Sequence, residues 1–66
     1  MIPLSPMQQR VYDEIERCQK ELGYTPTLRA LGETLDVSQF TVAVHIKKLI
    51  QKERARRINA RHIVLM

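Results

Sequence analysis

The 66-residue sequence has a net charge of +4 and contains one cysteine and two histidines. A chain of this length buries only about 60% of the surface that it exposes when unfolded, so we expect one domain over residues 1–66, without the layered walls of a catalytic cleft. The lone cysteine excludes an internal disulfide, and the two histidines lack the spacing of a zinc site. No apolar run approaches the roughly 20 residues of a membrane span. We therefore expect a cytoplasmic protein that is not an enzyme and uses no cofactor.

Residues 5–23 predict a first helix. Ser5 can accept a hydrogen bond from a free backbone N–H, and Pro6 suits the first helical position because an N–H there would have no helical partner. Apolar side chains recur at steps of three and four and form one stripe, consisting of Met7, Val11, Ile15, Cys18 and Leu22. Gly23 marks the end of this helix. We expect Cys18 to lie in the core.

Two shorter helices follow the break at "YTP". Thr27 can cap the second helix, whose expected buried face is Leu28, Leu31 and Leu35. Ser38 can cap the third, whose expected buried face is Val42, Ile46, Leu49 and Ile50. Only Asp36 and Val37, plus the Ser38 cap, separate the two, which is the spacing of a helix-turn-helix.

Gly32 supports the same interpretation. A steep crossing of two helices over so short a turn brings their backbones close together, and a small residue avoids a clash there. Since glycine in an exposed helix costs about 1 kcal/mol relative to alanine, its presence indicates a packing requirement. The alternative is a neutral surface glycine.

The C-terminal segment has two interpretations. In "RARRINARHIVLM", Ile58, Ile63 and Leu65 lie among β-branched residues and Asn59 suits a turn, which predicts a hairpin over about 54–58 and 61–65. However, "QKERARR" contains good helix formers without a glycine stop. The third helix could therefore continue to about Arg57.

Positive charge is concentrated at the C-terminal end. Residues 1–46 contain four basic and six acidic side chains, whereas residues 47–66 contain seven basic ones and only Glu53 as an acid. A basic run alone is often no more than a solvated surface. Next to a helix-turn-helix, it favours a nucleic-acid partner.

The stretches "LSPMQQRVYDEIE", "GYTPTLRALGETL", "TVAVHIKKL" and "ARHIVL" together resemble the N-terminal winged helix-turn-helix domain of LexA-type repressors. The most specific parts are "GYTPTLR" and the pair Gln8 and Gln9. The resemblance implies a mostly α fold of three helices with a small β-hairpin, the wing. It also implies a transcriptional regulator, a repressor in this family, that binds double-stranded DNA.

The sequence departs from the family at several glycine positions. The turn before the third helix is about one residue shorter, Asp36 replaces the usual turn glycine, and the glycine between the third helix and the wing is missing. His62 takes the glycine position of the wing strand. Because the residues that would read bases lie in this altered region, we do not expect the family's operator sequence to carry over. We find no counterpart in these residues of the family's self-cleaving, dimerising C-terminal domain, so we do not expect self-cleavage either.

A third helix lying in the major groove would read bases with the stripe opposite its buried one. That stripe holds Phe40, Val44, Lys47 and Gln51. An apolar side chain can pack on a thymine methyl and a glutamine can pair with an adenine edge. The expected base contacts are Gln39, Phe40, Thr41 and Val44. The alternative for Phe40 is that its ring folds back over the turn onto the core, and His45 is expected to be half-buried.

The basic residues from position 47 onwards, together with two residues at the start of the second helix, are expected to contact the DNA backbone. Such contacts fix the position of the protein and its salt dependence. These expected backbone contacts are Thr27, Arg29, Lys47, Lys48, Lys52, Arg54, Arg56, Arg57 and Arg61. We expect a nucleoid-associated protein that is monomeric when free, with a homodimer forming on a palindromic site. The alternative is a winged-helix interaction module whose Phe40 and Val44 patch binds a regulatory protein, for example a phage- or plasmid-type modulator of a host regulator.

Overall fold

The computed structural model describes residues 3–59 and 62–66. Three helices, α1 (Pro6–Glu21), α2 (Leu28–Leu35) and α3 (Gln39–Gln51), are followed by the antiparallel strands β1 (Ala55–Asn59) and β2 (His62–Leu65). This is the predicted winged helix-turn-helix, with the hairpin close to its predicted position. None of the described helices is both long enough and apolar enough to cross a membrane.

Each helix begins at its predicted cap. The Ser5 hydroxyl accepts the Gln8 N–H at 3.2 Å, and the Gln8 side chain accepts the Ser5 N–H at 3.0 Å, which completes a capping box. The Thr27 and Ser38 hydroxyls accept the N–H groups of Ala30 and Thr41 at 3.0 and 3.1 Å. Each cap satisfies a backbone donor that lacks a helical partner and contributes about 1 kcal/mol.

One hydrophobic core joins the helices to the hairpin. Its buried residues are Val11, Ile15, Leu31, Leu35, Val42, Ile46, Leu49, Ala55 and Ile63. Cys18 is buried too, as predicted. Because Ala55 and Ile63 belong to this core, the hairpin is packed against the helices rather than extended into solvent.

Two residues of the predicted apolar stripes are exposed, and Met7 and Ile50 are partly buried. Leu22 is 51% exposed, because α1 ends at Glu21 and the chain turns away from the core there. Leu28 is 36% exposed, because it is the first residue of α2 and lines an open cleft. The repeat of apolar residues predicted the correct buried faces of α1 and α2. It included one exposed residue too many, at the C-terminal end of α1 and at the N-terminal end of α2.

Gly32 lies at the closest approach of α2 to the following turn. A Cβ atom at this position would lie 2.6 Å from the Val37 carbonyl oxygen, well inside van der Waals contact with a backbone atom. Gly32 is also buried. The predicted packing requirement is confirmed, and the alternative of a neutral surface glycine is wrong.

Two residues without a glycine's freedom adopt left-handed backbone conformations at helix ends. Asp36 follows α2 with φ 60°, and Glu53 follows α3 with φ 58°. After α3, the Arg54 N–H donates to the Leu49 carbonyl at 2.9 Å, and the Glu53 N–H donates to the Ile50 carbonyl at 3.0 Å. This is the bonding pattern of a Schellman motif. α3 therefore stops at Gln51, and the alternative of a helix continuing to Arg57 is wrong.

Glu53→Gly should increase the free energy of unfolding by about 0.5–1 kcal/mol. A left-handed conformation costs a non-glycine residue about 1–2 kcal/mol, and the extra freedom of glycine in the unfolded chain offsets part of the gain. Urea denaturation measures the change. Glu53→Gln removes the charge but keeps the strain, so it should remain within about 0.5 kcal/mol of the parent. Equal stabilisation by both variants would assign the effect to charge instead.

Candidate nucleic-acid interface

α3 has a solvent-facing row of side chains opposite its buried row. Phe40 is 78% exposed and Val44 is 39% exposed, whereas Val42 is 0% exposed. Lys47 and Gln51 are exposed on the same face. The predicted rotation of α3 is therefore confirmed.

The Phe40 ring does not fold back over the turn. Leu35 is buried at the end of α2, and Val37 packs against the core from within the turn. Phe40 itself is 78% exposed and does not belong to this core. The alternative location predicted for Phe40 is therefore wrong, and the ring is exposed to solvent near the start of α3.

The first turn of α3 contains two polar candidates in different surroundings. Thr41 is half-buried, and its hydroxyl oxygen lies 2.9 Å from the Ser38 hydroxyl oxygen. Gln39 is exposed. The Thr41 hydroxyl thus has a local partner that a base or phosphate would have to share, whereas the Gln39 side chain extends into solvent.

Charges in the N-terminal part of the chain are largely paired with each other. Arg17 contacts Glu14 and Glu21, each at 2.6 Å, and Arg29 contacts Glu33 at 3.2 Å. Hydrogen bonds from Arg17 lower the pKa of Glu14. The predicted DNA-contacting residue Arg29 is therefore already paired within α2.

Four basic residues form the positive surface beside the exposed row of α3. Lys47, Lys48, Arg56 and Arg57 are all exposed. Within residues 3–59 and 62–66, no carboxylate forms an ion pair with any of them. Their charges are available to an external anionic partner.

Lys52 and Arg54 are bound to the N-terminal part of the chain. The Lys52 ammonium donates to the Pro3 carbonyl at 3.0 Å and to the Gln8 side-chain oxygen at 2.6 Å. The Arg54 guanidinium lies over the Tyr12 ring, 5.2 Å from its centroid. Both residues were predicted to contact the DNA backbone. Within the described residues, each has a partner in the protein, unlike Lys47, Lys48, Arg56 and Arg57.

Arg57 lies on the inner face of the hairpin, beside the start of α2. It pairs with Ile63 across the strands. Both residues line a cleft of about 440 Å³, together with Thr25, Pro26, Thr27, Leu28 and Ile46. The N-terminus of α2 lies at this cleft, and a helix N-terminus favours anions. Arg57 and the start of α2 thus combine two positive features at one place.

Arg61 lies outside the described residues. His45 is half-buried as predicted, and its Nδ1 atom has no hydrogen-bond partner in the described part of the chain. Burial and the neighbouring Glu14 carboxylate both raise the pKa of Cys18, so its thiol stays protonated and serves packing.

Three polar residues have structural roles that were not predicted from the sequence. Gln8 closes the α1 capping box and accepts from Lys52. The Ser5-x-x-Gln8 spacing was a local signal for the first of these roles. Gln19 and Thr25 hydrogen-bond to β2, 44 and 38 residues further along the chain. No local pattern could have indicated those contacts.

Comparison with known proteins places this geometry in a family. A family model described as the LexA DNA binding domain matches residues 1–62. The LexA repressor of Oleidesulfovibrio alaskensis is 37% identical over 49 residues, which covers 74% of this chain and 24% of that protein. The chain therefore spans about a quarter of the length of that relative.

Val44→Ala and Val42→Ala should differ sharply in their effect on stability. Val42 is fully buried, so its truncation should cost about 1–4 kcal/mol through lost burial and cavity formation. Val44 lies about half a turn away in solvent, so its truncation should change the free energy of unfolding by less than about 0.5 kcal/mol. Thermal or urea denaturation measures both. A large loss for Val44→Ala would contradict the rotation of α3 described above.

Proposed function

Since this chain belongs to the LexA DNA-binding domain family, we propose that it is a repressor-type regulator that binds specific sequences of double-stranded DNA. In this proposal α3 lies in the major groove and the hairpin follows the phosphate backbone or enters the minor groove. The observation that carries the proposal is the exposed row of α3, where Phe40 and Val44 lie beside Lys47 and Gln51.

The exposed row suits base recognition in the major groove. The major groove admits an α-helix and displays the thymine methyl group together with base-specific donors and acceptors. Phe40 and Val44 provide apolar contact to thymine methyls, and Gln39 pairs with an adenine edge. Thr41 reaches a base or a phosphate when its hydroxyl turns away from Ser38.

The exposed basic residues suit the DNA backbone. Lys47 lies within the exposed row of α3 and Lys48 follows it, and Arg56 and Arg57 extend the positive surface onto the two faces of β1. The N-terminus of α2, with Thr27 and Arg29, adds a phosphate site next to Arg57. Arg61 adds a further cation by its sequence position alone. Lys52 and Arg54 contribute charge close to this surface while they hold α1, so their removal affects the fold as well as binding.

We propose a monomer in the absence of DNA. The chain has no heptad seam and Cys18 is buried, so neither offers a dimer contact. Two copies of the protein then pair on two DNA half-sites that lie about one turn of the double helix apart. Selection of bound sequences from random DNA identifies the operator, and a palindrome among them indicates pairing.

Titration with random duplex DNA at about 50 and about 200 mM salt tests the function, because backbone contacts release counterions and make affinity fall steeply with salt. Arg56→Ala should weaken binding to all sequences and reduce the log–log salt slope by about one unit. Lys20→Ala removes the same charge from α1 and should leave the slope nearly unchanged. Absent or salt-insensitive binding would favour a regulatory protein as partner of the Phe40 and Val44 surface.

The selected site allows a test of the reading row. Val44→Ala should weaken binding to that site by about 1 kcal/mol and relax the preference at one base pair, since it removes contact with a thymine methyl. Affinity for random DNA should remain nearly intact. Replacing the thymine at that position by deoxyuridine should reproduce the loss in the parent protein. An unchanged sequence preference would remove Val44 from the reading surface.

A further inference from the structure

We propose that Gln19 and Thr25, which lie outside α3 and the hairpin, are positioning residues that hold the hairpin in its DNA-binding orientation. The proposal rests on the proposed function, in which hairpin cations contact DNA. It concerns one set of groups, the Thr25 network, which consists of the side chains of Gln19, Thr25 and His62 and the backbone of Ile63.

Gln19 and Thr25 meet at the backbone of β2. The Gln19 amide donates to the Ile63 carbonyl at 2.6 Å and to the Thr25 hydroxyl oxygen at 3.1 Å. The Ile63 N–H donates to the same hydroxyl oxygen at 3.4 Å, which is a long hydrogen bond. Both backbone polar groups of Ile63 are therefore directed at α1 and the α1–α2 loop.

These hydrogen bonds compensate for a weakness of a two-stranded sheet. β2 is an edge strand, so alternate backbone groups point away from its only partner strand. An isolated two-stranded hairpin is marginally stable in water. Ile63 is also buried, and a buried backbone group without a partner costs about as much as a lost hydrogen bond. The network supplies the partners that a third strand would otherwise provide.

A second contact sets the direction of β2 along α1. The Tyr12 hydroxyl donates to the Met66 carbonyl at 2.9 Å. Tyr12 and Gln19 lie seven residues apart on one face of α1, a rise of about 10.5 Å. Ile63 and Met66 lie three residues apart on an extended segment, a rise of about 10 Å. The two donors of α1 thus match two acceptors of the β2 segment.

The strand register transmits this position to the DNA-facing cations. Ile63 pairs with Arg57 and Val64 pairs with Arg56. Fixing the backbone of Ile63 therefore fixes where both arginines leave β1. Neither Gln19 nor Thr25 needs to approach DNA to influence how these cations meet phosphates.

His62 completes the network at the position where the family resemblance expects glycine. Its Nδ1 atom lies 3.3 Å from the Thr25 hydroxyl oxygen. That oxygen also accepts from Gln19 and from Ile63, so the Thr25 hydroxyl lies at the centre of the network. Thr25 therefore contacts two successive residues of β2.

Gln19→Leu removes the hydrogen bonds that α1 contributes to the network, and Thr25→Val removes those of the α1–α2 loop. Gln19 lies outside the proposed DNA surface, whereas Thr25 lines the cleft beside Arg57. Each should weaken binding to random duplex DNA about 10-fold and lower the salt slope by about one unit, as loss of a phosphate contact does. Gln9→Leu and Thr34→Val make the same chemical changes at exposed helical positions and should bind like the parent. Thr25→Ser retains the hydroxyl and should restore most of the affinity. Circular dichroism at low temperature establishes that each variant is folded.

A double variant separates positioning from general destabilisation. If Gln19 acts through the hairpin cations, Gln19→Leu combined with Arg56→Ala should bind little more weakly than the weaker single variant, because coupled residues are not additive. Parent-like binding by both folded network variants, or fully additive losses in the double variant, would overturn the proposal.

Amide hydrogen exchange provides a readout that does not need DNA. Thr25→Val should accelerate exchange in β1 and β2 while the amides of α1 and α3 remain protected, since local opening of one element leaves the others folded. This result would support the network even if the parent binds no DNA, in which case the proposed function alone fails. Equal acceleration in helices and hairpin would show a general loss of stability and would contradict the positioning role.

Discussion

The close approach of the α2 backbone to the turn before α3 is the constraint on which the interface depends. A Cβ atom at Gly32 would lie 2.6 Å from the Val37 carbonyl oxygen, so the turn closes only around glycine. Ser38 then caps α3 and fixes where the helix begins. Since helical side chains follow a period of 3.6 residues, burial of Val42 forces Val44 to the opposite face. The exposed row of α3 thus follows from the Ser38 cap, which sets the start of the helix, and from the burial of Val42 on its opposite face.

The basic residues after α3 serve two purposes, and their neighbours distinguish them. Lys52 and Arg54 have partners on the N-terminal side of the chain, so part of their interaction energy stabilises the fold. Arg56 and Arg57 are exposed on β1 without a described carboxylate partner. Sequence position alone could not separate these groups, because all four lie within a few residues of one another. What separates them is the end of α3 at Gln51, after which the chain passes first over α1 and then into the hairpin.

The local features of the fold could be predicted from the sequence, and the long-range ones could not. Caps and apolar periodicity depend on residues three or four positions apart, so the three helices and the buried face of α3 were predicted correctly. The sequence left two alternatives for the end of α3, because Glu53 takes a left-handed conformation that its residue type does not favour. Leu22 was assigned to the core because periodicity identifies a helix face but not how far the neighbouring element covers it. Gln19 and Thr25 carried no signal, since their partners on β2 are distant in sequence.

The two parts of the proposed interface share one core, and this links residues that never meet DNA to those that do. α3 packs against α1, and β1 packs against α3, while Ile46 and Ile63 belong to the same buried core. Within residues 3–59 and 62–66 the hairpin has no third strand, and α1 supplies hydrogen bonds to β2 through Gln19 and to Met66, directly after β2, through Tyr12. A shift of α1 relative to the core would therefore move the hairpin cations relative to the exposed row of α3. Phosphate contacts fix the register of a protein on duplex DNA. On this argument α1, although it contributes no base contact, determines whether the reading row and the basic hairpin engage the same stretch of duplex together.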